Sequence, residues 1–207
     1  MADLTLDRSK GYMLVIVNTE FKHLRKLDVS KKDVELCQEL NTKLNCKLDL
    51  KENVDLDATK SMIAEAVEAI NASDEYEWLM VVISSHGELA YNNTIRDSEL
   101  VIRCKDSLKD PGVTWMPTRD IVEAFGEKKC RKLKNKPKIF IIAACRGSIH
   151  SFYIPVVSIF FIEFGNVNAY KRISKTLYKY LNSCMANALS LVRRRQKHCV
   201  YFTNPFN

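Results

Sequence analysis

Glycine occurs only six times and proline five times in 207 residues, which excludes a collagen repeat and a low-complexity linker. No apolar run reaches the ~18 residues a membrane-spanning helix needs, and the first stretch, Met1-Ala2-Asp3-Leu4-Thr5-Leu6-Asp7, is acidic and lacks the apolar core of a secretory signal. The seven cysteines, Cys37, Cys46, Cys104, Cys130, Cys145, Cys184 and Cys199, include no Cys-x-x-Cys pair. The usual zinc and thioredoxin spacings are therefore missing, and neither a metal nor a cofactor is expected. With no secretory signal, the expected setting is cytoplasmic and reducing, with thiols rather than disulfides.

Acid is scarce at one end. Aspartate does not recur after Asp120, and the stretch 148–207 holds one acid, Glu163, against eight Lys and Arg. Residues 1–147 carry 24 bases and 24 acids, so the net charge of +7 lies wholly beyond them. This shift marks an expected boundary: a short segment 1–10, a domain 11–147, and a basic region 148–207. Two basic clusters, Lys128 to Lys138 and Arg193 to Lys197, have the charge to grip phosphates. Neither carries an aromatic platform or a recognition motif, so both read as solvated surface, and neither a nucleic acid nor a membrane is an expected partner.

What is present can build a core, since 46% of the residues are hydrophobic and 28% charged. Tyr12–Val17, Leu79–Ile83 and Ile139–Ala143 are continuous apolar runs rich in β-branched residues and read as strands buried on both faces. Between them, Ser30 caps a predicted helix with Val34, Cys37, Leu40 and Leu44 on one face, and Asp57 caps another carrying Ile63, Val67 and Ile70. Cys46–Leu50 reads as a short edge strand and Glu99–Ile102 as a hairpin arm. Thr118 is the expected cap of a short helix through Ile121, Val122 and Phe125. In the basic region, Phe152–Ile162 reads as a strand, and Tyr170–Val192 as an amphipathic helix. Buried strands alternating with helices mean an α/β fold with a mostly parallel sheet.

Two of the strong strands end in chemically loaded turns. Leu79–Ile83 runs into Ser84-Ser85-His86-Gly87-Glu88, and Ile139–Ala143 into Ala144-Cys145-Arg146-Gly147. Residues just past the carboxyl ends of neighbouring parallel strands share one crevice. A thiol is a weak nucleophile near its ordinary pKa of ~8.5, and an imidazole beside it removes the proton. Glycine after the histidine lets backbone approach a reacting carbonyl, and the Gly87 and Cys145 amides are natural donors to its oxyanion. The remaining cysteines read as small buried hydrophobes.

Ser85-His86-Gly87-Glu88, the run from Lys136-Pro137-Lys138 to Ala144-Cys145-Arg146-Gly147, and the stretch from Gly11 through Asn18 to Phe21 together resemble the large catalytic subunit of the caspases, over roughly residues 10–147. The resemblance implies a three-layer sandwich with helices on both faces of the sheet. It implies a cysteine endopeptidase of the cell-death type cutting proteins after aspartate, with Cys145 as nucleophile, His86 as proton shuttle and Gly87 in the oxyanion hole. It implies protein substrates, a homodimer or a caspase partner, and the short leading segment of effector-type members. The chain departs from the family at three places. Ala144 stands where a glutamine amide normally helps line the aspartate pocket. The Arg-x-Gly whose arginine clamps the substrate carboxylate is absent between Phe21 and Asp33, leaving Arg25 as the candidate substitute, out of register. The stretch 148–207 contains no tryptophan and does not align with the family's small subunit. These departures favour a second reading, a catalytically impaired homologue acting as a decoy or regulator of caspases. The His-Gly and Ala-Cys pattern alone also fits metacaspases and legumains, while Arg146-Gly147 and Lys136-Pro137-Lys138 favour the caspases.

Overall fold

The computed structural model describes residues 10–22, 24–27, 30–92, 97–105, 114–144, 157–162 and 201–202. Strands β1 (Gly11–Val17), β2 (Lys47–Glu52) and β3 (Trp78–Ser84) are separated by helices α1 (Ser30–Leu44) and α2 (Leu56–Ala72). Strands β4 (Gly87–Asn92), β5 (Asp97–Arg103) and β6 (Trp115–Pro117) follow, then α3 (Thr118–Ala124), β7 (Lys138–Ala143), β8 (Val157–Ile162) and β9 (Tyr201–Phe202). Six strands form one sheet in the order β2-β1-β3-β7-β8-β9, and β4-β5-β6 form a second. In the large sheet β2, β1, β3 and β7 run parallel, and β8 lies antiparallel to β7. The fold is α/β with a mostly parallel sheet, as the apolar runs predict.

Strand alternation sends side chains to two separate apolar layers. Tyr12, Leu14 and Ile16 of β1, Leu79, Val81 and Ile83 of β3, and Phe140 and Ile142 of β7 pack with Met62, Ile63, Ala66 and Ile70 of α2 and Ile121 of α3. Met13, Val15 and Val17, Met80 and Val82, and Ile139 and Ile141 pack with Cys37 and Leu40 of α1. Each strand is apolar throughout because each of its faces lies under a helix. At about 1.5–3 kcal/mol for each large apolar side chain buried, these layers supply most of the favourable free energy of folding.

Two helix starts differ from expectation. The cap of α2 is Asp55, whose carboxylate accepts from the Ala58 amide at 2.8 Å, and Asp57 sits inside the first turn. Only Asp55 has the extended backbone (φ −75°, ψ 179°) that turns its side chain back onto the amides of the first turn. The cap of α3 is Pro117, with no side-chain cap bond, and Thr118 is already helical and buried. The proline ring fixes φ near the −61° found there, so the chain passes from β6 into the helix without a polar cap. Contrary to expectation, the basic stretch after α3 is not solvated throughout: Cys130, Leu133 and Lys138 are buried, because Lys138 opens β7 and donates to the Leu133 carbonyl at 2.7 Å. Lys132 pairs with Asp74, and Lys136 donates to the Tyr76 carbonyl at 2.7 Å. The amphipathic segment at Tyr170–Val192, the cluster at Arg193–Lys197 and the start of the apolar stretch, 152–156, lie outside the described residues.

Gly11 pairs with Trp78 across β1 and β3, and a Cβ built on it meets the Trp78 ring at 1.9 Å. Trp78 is 2% exposed and has nowhere to retreat. Gly11→Ala is therefore expected to destabilise the chain by about 1–3 kcal/mol, read as a lower urea midpoint with unchanged slope. An unchanged midpoint overturns the assignment.

Candidate active site

The connections set where chemistry can sit. From β1 the chain crosses through α1 on one face to β2, then through α2 on the other face to β3, on the opposite side of β1. The loops leaving β1 and β3 diverge at this switch point, and the crevice at their carboxyl ends is where open α/β sheets bind ligands. Asn18 closes its floor. It is fully buried; its amide donates to the Ser84 carbonyl at 2.8 Å, its side-chain oxygen accepts from the Val54 amide at 2.9 Å, and its Nδ2 donates to the Arg103 carbonyl at 3.2 Å. Ser85 Oγ donates to the same Arg103 carbonyl. One asparagine thus ties β1, β3 and β5 together.

His86 follows directly. The Phe21 ring lies 4.8 Å from its ring, centroid to centroid, and its Nε2 is 2.7 Å from the Arg25 carbonyl oxygen. A carbonyl only accepts, so Nε2 carries the proton and donates, leaving Nδ1 as the acceptor of the neutral ring. Arg25 therefore reaches the site through its backbone, and its side chain is exposed. The loop that brings Phe21 and Arg25 to the histidine is held at its root by Asn53. That residue has φ 54°, a left-handed conformation asparagine tolerates. Its side-chain oxygen accepts from the Thr19 amide at 2.8 Å, Thr19 Oγ1 at 3.0 Å and the Glu20 amide at 2.9 Å. The Leu27 amide closes the loop onto the Thr19 carbonyl at 3.1 Å.

Gly87 opens β4 and pairs with Ile102 of β5. The Arg103 amide donates to the His86 carbonyl at 2.8 Å, which makes Gly87 and Ile102 a non-hydrogen-bonded antiparallel pair. The Gly87 amide consequently points away from β5, toward the outer edge of a sheet in which β4 is the border strand. Across the large sheet, Ser84 pairs with Ala143, and the Ser85 amide donates to the Ala143 carbonyl at 3.1 Å. Ala144 is 4% exposed and belongs to the apolar layer beneath α2 and α3. Cys145 lies outside the described residues.

The other described thiols are poor nucleophiles. Burial pushes Cys46 up to about 11 and also raises Cys104 and Cys130, and Cys37 is buried. At the end of β3, Ser84 Oγ donates to Asp33 of α1 at 2.5 Å. Burial raises the Asp33 carboxyl above its ordinary range, opposed by that bond. Phe21, Asn53 and Asp33 as site-builders are not legible in the sequence, because they act through loop closure and register.

A family model described as Caspase domain matches residues 10–197, and so runs across the charge boundary at 147. Caspase-1 of Equus caballus is 33% identical over 135 residues, covering 65% of this chain and 30% of that protein. Caspase-12 of Mus musculus is 33% identical over 136 residues, covering 65% and 29%, and Caspase-1-A of Xenopus laevis 27% identical over 145, covering 67% and 35%. The chain thus spans about a third of the length of these relatives. The crystal structure of the Drosophila initiator caspase Dronc superposes with a TM-score of 0.55 at 16% identity, over 72% of this chain and 60% of that one. At that identity the likeness is one of fold.

Two outcomes are expected from this geometry. Asn53→Gly keeps the backbone but removes three hydrogen bonds, so the urea midpoint should fall by the equivalent of about 1–3 kcal/mol and trypsin should cut faster at Arg25 and Lys26. Trypsin cutting at an unchanged rate argues against Asn53 as the loop's anchor. Asp33 has a raised folded value, so the folded state holds its proton more tightly than the unfolded chain does. Its stabilising contribution is full below the ordinary value of about 3.9 and is lost as pH rises through the folded value. Asp33→Asn should flatten the decline in unfolding free energy above pH ~4; an equally steep decline in the variant refutes this.

Proposed function

Because the chain belongs to the caspase-domain family, we propose that it is a caspase-like cysteine endopeptidase that cleaves proteins after acidic residues, aspartate foremost, in apoptosis-type proteolysis in the cytoplasm. The supporting observation is the register of β3 with β7. Ser84 pairs with Ala143 at the ends of the two strands, and in sequence His86 and Cys145 each follow that pair by two residues. Nδ1 of His86 takes the Cys145 thiol proton, and the thiolate attacks the scissile carbonyl carbon to form a C–S bond. The Gly87 amide, directed away from β5, and the Cys145 amide donate to the oxygen as negative charge develops on it. The His86 proton then passes to the leaving amine as the C–N bond breaks, giving a thioester. Water, deprotonated by the same ring, adds to the thioester carbonyl carbon; the C–S bond then breaks, the ring returns its proton to the Cys145 sulfur, and the acid leaves. The Arg25 carbonyl keeps the imidazole oriented through both halves of the reaction. The scheme calls for neither cofactor nor metal. A second copy of the chain or another caspase is the proposed partner.

One observation favours the second reading, an impaired homologue acting as decoy or regulator. Ala144 turns into the apolar layer and offers no hydrogen bond to a substrate side chain. Electrophilic peptides with Asp, Arg or Asn at the reacting position separate the two readings by intact mass. The expected result is one adduct with the Asp peptide, absent in Cys145→Ala and formed about 10²-fold or more slowly in His86→Ala. A folded protein that takes up none of the three peptides selects the decoy.

A further inference from the structure

The smaller sheet carries two side chains in a row with the histidine. Gly87 pairs with Ile102, so the preceding His86 lies opposite Arg103, and Arg103 in turn pairs with Trp115 of β6. Ile102 and Met116 face the core, so alternation puts Arg103 and Trp115 on the other face. His86, one residue before Gly87, projects to that same face. Opposite residues of an antiparallel pair have Cβ atoms about 5 Å apart. The Arg103 guanidinium sits over the Trp115 ring, 5.1 Å from its centroid. All three residues are partly exposed. The Arg103 backbone is fixed by its bonds to the His86 carbonyl, Ser85 and Asn18, so the guanidinium is pre-positioned from both ends.

We propose that Arg103, stacked on Trp115, is the cation that recognises the carboxylate of an acidic substrate side chain next to the scissile bond. The inference rests on the proteolytic reading of the site and deepens it by naming a specificity-determining residue. Stacking holds the guanidinium plane with Nε buried, so the Nη edge is the one that meets a carboxylate, end-on and bidentately. With five N–H donors, Arg103 holds a carboxylate together with the contacts it makes within the fold. The row also explains how a chain without an Arg-x-Gly, with alanine at 144 and with an exposed Arg25, retains a charged group at the histidine.

The test uses the full chain and a peptide pair differing only in Asp or Asn at the cleaved position. In wild type the Asp peptide is preferred. In Arg103→Met the Asp-to-Asn ratio of kcat/KM should fall about 10- to 100-fold, and Arg103→Lys should restore only part of it, because an ammonium neither stacks nor forks. An unchanged ratio in Arg103→Met, or a preference abolished by Arg25→Ala instead, overturns the assignment. A binding measurement keeps the inference separable from catalysis. Of the two tryptophans, Trp78 is 2% exposed, so a ligand-dependent emission change reports Trp115. The Cys145→Ala protein should show a saturable change with the Asp peptide, none with the Asn peptide, and none in the Arg103→Met double variant. If Cys145 reacts with no peptide, the proteolytic reading fails while this titration still decides on Arg103: an Asp-selective signal supports it, and an absent or unselective one refutes it.

Discussion

β1, β3 and β7 carry apolar side chains on both faces, and no backbone in a parallel sheet tolerates exposure of both. This obliges α1 to cover one face and α2 with α3 the other. Once the faces are closed, the only places where polar atoms of the inner strands meet solvent are the strand ends. Covering the two faces alternately also forces the chain to step from β2 across β1 to β3, and that step opens the crevice at the carboxyl ends. The location of the histidine is thus a by-product of how the sheet hides its faces.

Asn18 converts this architecture into a rigid floor. It stands at the exit of β1, where a buried polar side chain must satisfy all its hydrogen-bonding groups. It does so by taking partners from the Val54 segment, from β3 and from β5. The smaller sheet is thereby joined to the larger through the same carbonyl, that of Arg103, which also accepts from Ser85. Displacing this asparagine loosens three elements at once, including the strand that carries Arg103 and the turn that carries His86.

The strands were legible in the sequence because a run of β-branched residues buried on both faces has few other uses. Tyr12–Val17, Leu79–Ile83 and Ile139–Ala143 each lengthen by a residue or two in the structure. Cap positions were less legible. Asp55 and Asp57 are chemically identical, and only backbone dihedrals distinguish the cap from the first-turn acid. At Pro117 a polar neighbour, Thr118, suggested a cap that the chain does not use. His86 and Gly87 could be singled out because they follow a buried strand in an unusual polar turn. The partner of His86 could not, because it is a main-chain carbonyl and every residue has one. Arg103 and Trp115 were hidden for a further reason: hairpin register, which aligns them with the histidine, is not written in either segment alone. Among the cysteines, burial of Cys37 follows from the apolar helix face it shares with Val34 and Leu40, whereas Cys130 is buried within a basic stretch whose sequence does not announce it.

β8 pairs with β7 along the whole of that strand, with Ala143 opposite Val157 and Lys138 opposite Ile162. These partners are near neighbours in the chain. The parallel pairs join residues far more distant in sequence, Gly11 with Trp78 and Leu79 with Lys138. Closing a long loop costs more chain entropy and delays non-local pairing. The β7–β8 ribbon can therefore form before β7 has found β3, as a local step on the route to the native sheet. During synthesis and refolding, one edge of β7 is then already occupied while the long-range contacts are still being sought, which shortens the time for which that edge is open to intermolecular strand addition.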